Sequence, residues 1–463
     1  MQAPYDGSDT ALARLDDLVE LFASSERPHQ DGLIGAEAEK IGVHETSGQP
    51  LGYGQAFGVC KVMAFLNEHH AWQPLRETED GPVLALVRDG ASITLEPGAQ
   101  FELSGAPLPD VHAVAAELHE HLAELAPISK SLGISWLGTG FHPLAKLSEL
   151  PWVPKQRYPV MRRYLPEKGA GALDMMQRTA TVQANYDRRS EADAMAKMSL
   201  GLRVSPLVHA LSVNSPFREG APSARLSERG EVWLHMDPSR SGLIRALWEK
   251  PIEKLAYRDY VEWALDSGMF LFWRGGETIE NTGQTFRDFM ANGFQGHRAT
   301  LADFKLHLTT LFPEVRLKNT IEVRSADAQA PELQLALIAL WTGLFYDDKS
   351  LGQALDFASS FSFDEVERAR PELVARGLRA EARPFGGLDN FEAARRLVEF
   401  ARAGLVRRAR QKPNVGDEAS YLRPLEELLE RKLHPADVLL SKFEAASGTA
   451  EARIIAATRF ALT

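Results

Sequence analysis

The sequence predicts an α+β fold: one antiparallel sheet that is polar on one face, with helices packed elsewhere. Three observations carry this. Segments 33–43, 92–105, 178–187 and 313–325 alternate polar and apolar residues with the period of two that sends strand side chains to opposite faces. Helical patterns at 110–132 and 190–211 lie between them. From about residue 331 onward the pattern is almost entirely helical, with loops near 381–388 and 412–417. The expected organisation is one large domain over 1–463, with a sheet-bearing core (1–330) and a mainly helical C-terminal region (331–463).

The elements follow in order. "SDTALARLDDLVELFASS" reads as an amphipathic helix capped by Ser8 or Asp9. "LIGAEAEKIGV" reads as a strand with Glu37 and Glu39 on one face and Ala36 and Ala38 on the other, followed by a helix around 55–69. "PVLALVR" (82–88) is a strand, and "SITLEPGAQFELSG" a hairpin turned at Pro97-Gly98. The helix 110–132 leads into a strand at 133–141. "ELPWVPKQRYPVMRRYLPEKGAGALD", rich in proline, glycine and base, reads as a substrate-facing loop with a short helix. "RTATVQANYD" alternates again, and a basic, aromatic stretch at 224–242 follows the helix 190–211. "MFLFWR" (269–274) suggests a strand, and "LADFKLHLTTLF" a helix that delivers the chain into "PEVRLKNTIEVRS", read as one two-faced strand.

Composition bounds the function. The chain has 463 residues, 44% of them hydrophobic and 25% charged, as in soluble globular proteins. A net charge of −11 disfavours a nucleic-acid binder. A single cysteine, Cys60, rules out an intrachain disulfide and a cysteine-based zinc site, and is expected to be a buried hydrophobe. No signal peptide and no run of roughly 18 apolar residues is visible. The expectation is a cytoplasmic protein off the membrane, monomer or homodimer.

The chemistry-bearing residues share strand faces: Glu37 and Glu39; Glu96, Gln100 and Glu102; Gln183 and Asn185; and Glu322 with Arg316, Lys318 and Arg324. Any one of these reads plainly as a wet antiparallel face. Together, acids gather on three segments and cations on the fourth. Packed carboxylates cannot all stay ionised without a counter-cation. Magnesium suits carboxylates shared with substrate phosphates, and arginine suits phosphate oxygens. The joint reading is Mg-nucleotide bound over an open sheet. Neither a P-loop nor a dinucleotide fingerprint is present.

"LEPGAQFELSGAP", "RYPVMRRYLP", "LDMMQRTATVQANYD" and "HLTTLFPEVRLK" resemble the plant-type glutamate–cysteine ligases, a family that also occurs in proteobacteria. The similarity runs from about residue 30 to about 350 and is weaker over the helical tail. The resemblance implies a glutamine-synthetase-like sheet cupping the active site. It implies ATP-driven ligation through γ-glutamyl phosphate to the amine of cysteine, with ADP and phosphate released, as the first step towards glutathione. By motif position, Glu37, Glu39, Glu96, Glu102, Gln183 and Glu322 would hold two or three magnesium ions, with manganese the other candidate metal. Arg316, Lys318 and Arg324 would grip phosphates, and Arg324, Glu322 and Lys318 would be catalytic. Arg157, Tyr158, Arg162, Arg178, Asn185, Trp233 and Arg240 are substrate-binding candidates. Met175 and Met176 read as core, and His307 as a helix residue that orients a neighbour. Two departures stand out. The family's E-H-E-K is here Glu37-Ala38-Glu39-Lys40, and its M-R-G-A-D-G-G-P-W is here "VRSADAQAP", beside the substrate site. A γ-glutamyl ligase with another amine acceptor, and a non-catalytic protein on the same fold, are the alternatives.

Overall fold

In a computed structural model, residue 12 and residues 14–28, 32–54 and 56–462 are described. Nine strands make the main sheet: β1 (Ile34–His44), β2 (Gln73–Arg76), β3 (Val83–Arg88), β4 (Ala91–Leu95), β5 (Phe101–Ser104), β6 (Ile134–Leu137), β7 (Thr181–Tyr186), β8 (Val315–Leu317) and β9 (Ile321–Asp327). Their order is β8-β9-β7-β1-β5-β4-β3-β2, with β6 paired to the far half of β1. Every pairing in this sheet is antiparallel. This is the sheet that the alternation predicts.

Alternation also decides which face is dry. Ala36 and Ala38 of β1, Val182 and Ala184 of β7, and Val323 and Ala326 of β9 join one apolar core with the helices Val111–Leu132, Glu191–Leu211 and Pro331–Phe345. Glu37, Glu39, Gln183, Asn185 and Glu322 take the opposite face. The helix Glu191–Leu211 is buried on nearly every side, so its polar start must be satisfied locally. Ser190 accepts from the Asp193 N–H, and Asp193 pairs with Lys197 at 2.8 Å. The C-terminal helices dock on this layer through a close backbone crossing. A Cβ on Gly343 would stand 2.1 Å from the Ala401 carbonyl oxygen, and one on Gly404 2.1 Å from that of Gly343. Only glycine lets the helices Pro331–Phe345 and Asn390–Arg408 approach so closely.

The structure revises several sequence-based boundaries. The first helix is Leu15–Ala23, and the predicted cap at Ser8 or Asp9 lies outside the described residues. The strand expected over 133–141 is only Ile134–Leu137. Phe272–Arg274 pairs with Glu277–Ile279 in a small separate ladder. Residues 313–325 are not one strand. β8 and β9 form a hairpin around Lys318-Asn319-Thr320, with the Lys318 N–H donating to the Thr320 carbonyl at 2.9 Å. The parity argument survives because Arg316 lies directly opposite Glu322, on the same face. Cys60 is half-buried rather than buried.

The two sheet edges are closed differently. β2 is exposed and carries Pro74, which has no N–H to offer. β8 is short and buried, and its Leu317 N–H donates to the Tyr260 hydroxyl at 3.2 Å. Among the described residues, no helix is long and apolar enough to cross a membrane.

Candidate active site

Strand register assembles the acids. Glu39 of β1 faces Glu102 of β5 directly, and Glu37 faces Gln183 of β7. Like charges opposite each other on one sheet face repel, and both Glu39 and Glu102 are 7% exposed. Burial, then the charges of Glu102 and Glu96, hold the Glu39 carboxyl well above its ordinary range. Burial, then Glu37 and Glu96, push Glu102 up to about 8. Arg229 offsets this only in part at Glu39, and the direct hydrogen-bond donors are neutral. The Thr94 hydroxyl donates to Glu102, the Thr181 N–H to Glu39 at 2.9 Å, and the Gln183 amide to Glu39 at 3.4 Å. Asn185 donates to Glu37 at 2.7 Å. Among the described residues, no Lys, Arg or His forms an ion pair with Glu37, Glu39, Glu96 or Glu102.

Glu96 enters by a turn. Its N–H donates to the Gln100 carbonyl at 3.0 Å, and its own carbonyl accepts from Ala99 at 2.8 Å. The left-handed residue of the turn is Ala99, at φ +66°, not Gly98. Gly98 serves a close approach instead, since a Cβ there would lie 2.2 Å from the Gln177 carbonyl oxygen.

The cation side is built around Glu322, which is fully buried. Arg316 reaches it from Nε at 3.0 Å and Nη2 at 2.8 Å, Lys318 approaches at 2.7 Å, and Arg324 donates from Nη1. Burial would raise the Glu322 pKa, but Arg316, Lys318 and Arg324 together hold it well below the usual carboxylate range. Two sequence-based roles change here. Glu322 is the hub of a cation triad, so an ion at its oxygens would have to displace one of these partners. Arg316 is no free phosphate grip, because its Nη1 is also spent on the carbonyls of Thr309 (3.3 Å) and Leu311 (3.0 Å). Lys318, with 29% of its side chain exposed, is the looser cation. Arg324 also donates to Gln183, which ties the triad to the acid row.

A cavity lies between the two groups. Glu39, Glu96, Arg157, Tyr158, Trp233 and Arg324 line it. Met175 and Met176 line it too, in addition to being buried. Among the described residues, the Nε of Arg157 and the Nε1 of Trp233 are buried donors with no partner. Tyr158 is anchored by its hydroxyl to the Leu95 carbonyl at 3.1 Å.

Four predicted substrate residues stand elsewhere. Arg162 is exposed and lies over Trp152. Arg178 is buried against Phe141 and pairs with Asp174 at 3.1 Å and Glu219 at 3.2 Å. Arg240 is 0% exposed, with Nε on Asp237 at 2.8 Å and Nη1 on the Thr310 carbonyl at 3.1 Å, so it braces the fold. Asn185 is spent on Glu37 and on the Thr320 hydroxyl at 2.8 Å. His307 sits in its helix and bonds the Ala264 carbonyl at 2.8 Å.

Sequence reasoning missed Arg229 and Lys155. Arg229 lines the cavity from the short helix Glu228–Leu234. Lys155 donates to the Leu95 carbonyl at 2.5 Å, and burial lowers its pKa to about 8 while Glu96 pulls it back up. Each sits in a stretch flagged only as basic, where no periodicity singles out one cation.

The chemistry of the acid row suits a divalent ion. The acid row offers carboxylate and amide oxygens, and the raised carboxyls of Glu39 and Glu102 are what a missing counter-charge would leave. Among the described residues, no three His, Cys, Asp or Glu side chains converge as a preformed metal cage. Magnesium needs none, since it takes one or two carboxylates and completes its shell with water and substrate phosphates.

The model of glutamate–cysteine ligase family 2 matches residues 33–456. The chain belongs to that family. Glutamate–cysteine ligase A, chloroplastic, of Oryza sativa subsp. indica is 37% identical over 432 residues, covering 93% of this chain and 84% of the relative. The chloroplastic glutamate–cysteine ligase of Nicotiana tabacum is likewise 37% identical, covering 92% of this chain and 79% of its own length. The fold is shared with a crystal structure of glutamate–cysteine ligase from Francisella tularensis in complex with AMP, at a TM-score of 0.52 and 11% identity, covering 94% of this chain and 88% of that one. Membership of the glutamate–cysteine ligase family extends through the C-terminal helices, beyond the span the sequence motifs covered.

Proposed function

We propose that this protein joins L-glutamate to the amino group of L-cysteine at the expense of ATP, giving γ-glutamylcysteine, ADP and phosphate. The observation that carries this is family membership over 33–456, in a chain whose sheet brings Glu39 and Glu96 to one cavity with Arg324.

The reaction brings two anions together. The γ-carboxylate of glutamate attacks the γ-phosphorus of ATP, and the amine of cysteine then displaces phosphate from the acyl carbon. Arg324, pinned by Glu322 and Gln183, offers a preorganised charge to the transferring phosphoryl group. Lys318 is the second cation with freedom to reach an incoming phosphate. Arg157 and Trp233 offer their unpartnered N–H groups to amino-acid carboxylates. Glu37, Glu39, Glu96, Glu102 and Gln183 would hold magnesium. Bound there, magnesium would supply neutralisation of phosphate charge. Residues 1–463 act in this reading as one catalytic unit, in a reducing cytoplasm that suits a lone cysteine.

The test is phosphate release from ATP with glutamate, magnesium and a panel of amines. Release is expected to depend on cysteine and to yield γ-glutamylcysteine. Release indifferent to cysteine would refute the acceptor, and no release with any amine would refute the ligase.

A further inference from the structure

Strand β9 carries Arg324 on an irregularity. Between the pairs Val323–Ala184 and Ala326–Val182, Arg324 and Ser325 of β9 face the single residue Gln183 of β7. This is a β-bulge, which re-aims side chains and releases carbonyls from the ladder. The released carbonyls are in a dry setting, since Ser325 is 3% exposed, and buried carbonyls demand donors.

Two side chains from outside the sheet supply them. Arg229 forks across both, from Nη2 to the Arg324 carbonyl at 2.9 Å and from Nη1 to the Ser325 carbonyl at 3.2 Å. His209, in the helix Glu191–Leu211 on the dry face, bonds the Ser325 carbonyl through Nδ1 at 2.9 Å. A carbonyl only accepts, so the ring proton is on Nδ1. Burial keeps the imidazole neutral by lowering its pKa, against the pull of Asp327. The other nitrogen, Nε2, is buried without a partner among the described residues, and a Cβ on Gly230 would come within 2.5 Å of it. The ring is therefore seated for one bond, to the bulge.

We infer that His209 is a positioning residue: by holding the Ser325 carbonyl it fixes the bulge, and through the bulge the aim of the Arg324 guanidinium at the transferring phosphoryl group. The inference rests on the proposed ligase reaction. It concerns a side chain that bears on the chemistry through the backbone of β9.

Three variants and one cycle test it. Asn at 209 can present a donor where Nδ1 stands, Gln presents it where Nε2 stands, and Leu presents none. His209→Leu is expected to lower kcat on the order of tenfold, the size of one lost hydrogen bond to a buried carbonyl, with KM for ATP and glutamate within about twofold. His209→Asn should recover most of the loss and His209→Gln should not. In an Arg324→Lys background, His209→Leu should cost under about twofold, because its effect runs through Arg324. Equal kcat for the Asn and Gln variants, or a full tenfold cost in the Arg324→Lys background, would overturn the inference. Should the Leu variant fold poorly, the Asn–Gln comparison decides alone. An inactive wild-type protein would instead refute the ligase reading.

Discussion

Removing the charge of Glu102 should stabilise the ligand-free protein, and by an amount that depends on pH. The carboxyl titrates at an ordinary value of 4.5 when exposed and at about 8 in the fold. Between these values the folded state keeps a proton that the unfolded state has released. Protons then favour the native state, so stability falls as pH rises through this window. Each unit is worth about 1.4 kcal/mol, so the penalty grows from under about 1 kcal/mol at pH 5 to about 3 at pH 7 and about 5 above pH 8. Unfolding entropy of roughly 2 cal/mol/K per residue over 463 residues makes about 1 kcal/mol equal to one degree in Tm. Glu102→Gln should therefore melt about 3 °C above wild type at pH 7 and within about 1 °C at pH 5. Differential scanning calorimetry from pH 5 to 8 reads this directly. Magnesium should narrow the gap, since an ion that binds the ionised acids stabilises wild type more than the variant. A Tm difference that stays constant across the pH range would refute the account of the acid row.

The other predictions concern the cations. Arg324→Ala should lower kcat by a factor on the order of a hundred to a thousand, the cost of deleting one preorganised donor; near-normal steady-state kcat would remove Arg324 from the mechanism. Glu322→Gln should leave the buried Arg316 and the half-buried Lys318 and Arg324 without their counter-charge and cost about 3–5 kcal/mol, read as a lower melting temperature with a parallel fall in kcat; an unchanged Tm would show that the triad is not held by that carboxylate. Arg240→Met should strand the buried Asp237 carboxylate at a similar cost of about 3–5 kcal/mol while leaving KM for both amino acids unchanged; a selective rise in one KM would return Arg240 to the substrate site.

Much of the site was legible because strand geometry is periodic. Glu37 and Glu39 could share a face only if 34–44 was extended, and the register then set them against Gln183 and Glu102. Partners across the fold were not legible. Arg240 and Arg178 lie in basic stretches and look like ligands for carboxylates, yet each found a carboxylate within the protein. The hairpin in 313–325 was hidden because Lys318-Asn319-Thr320 contains no glycine or proline, and because a cross-strand pair preserves the parity that suggested one strand. The bulge at Arg324 depends on donors from distant segments, His209 and Arg229. A pattern read along one strand has no access to them.

Pro74 at one margin of the sheet and Tyr260 at the other bear on how copies of this chain behave beside one another. An antiparallel sheet invites a neighbour's backbone to extend it wherever a row of donors is left open. At β2 that row is interrupted by a residue with no hydrogen to give, and at β8 the Leu317 donor is already taken by a phenol. Concentrated or partly unfolded protein should therefore resist strand-by-strand growth into fibrils from either margin.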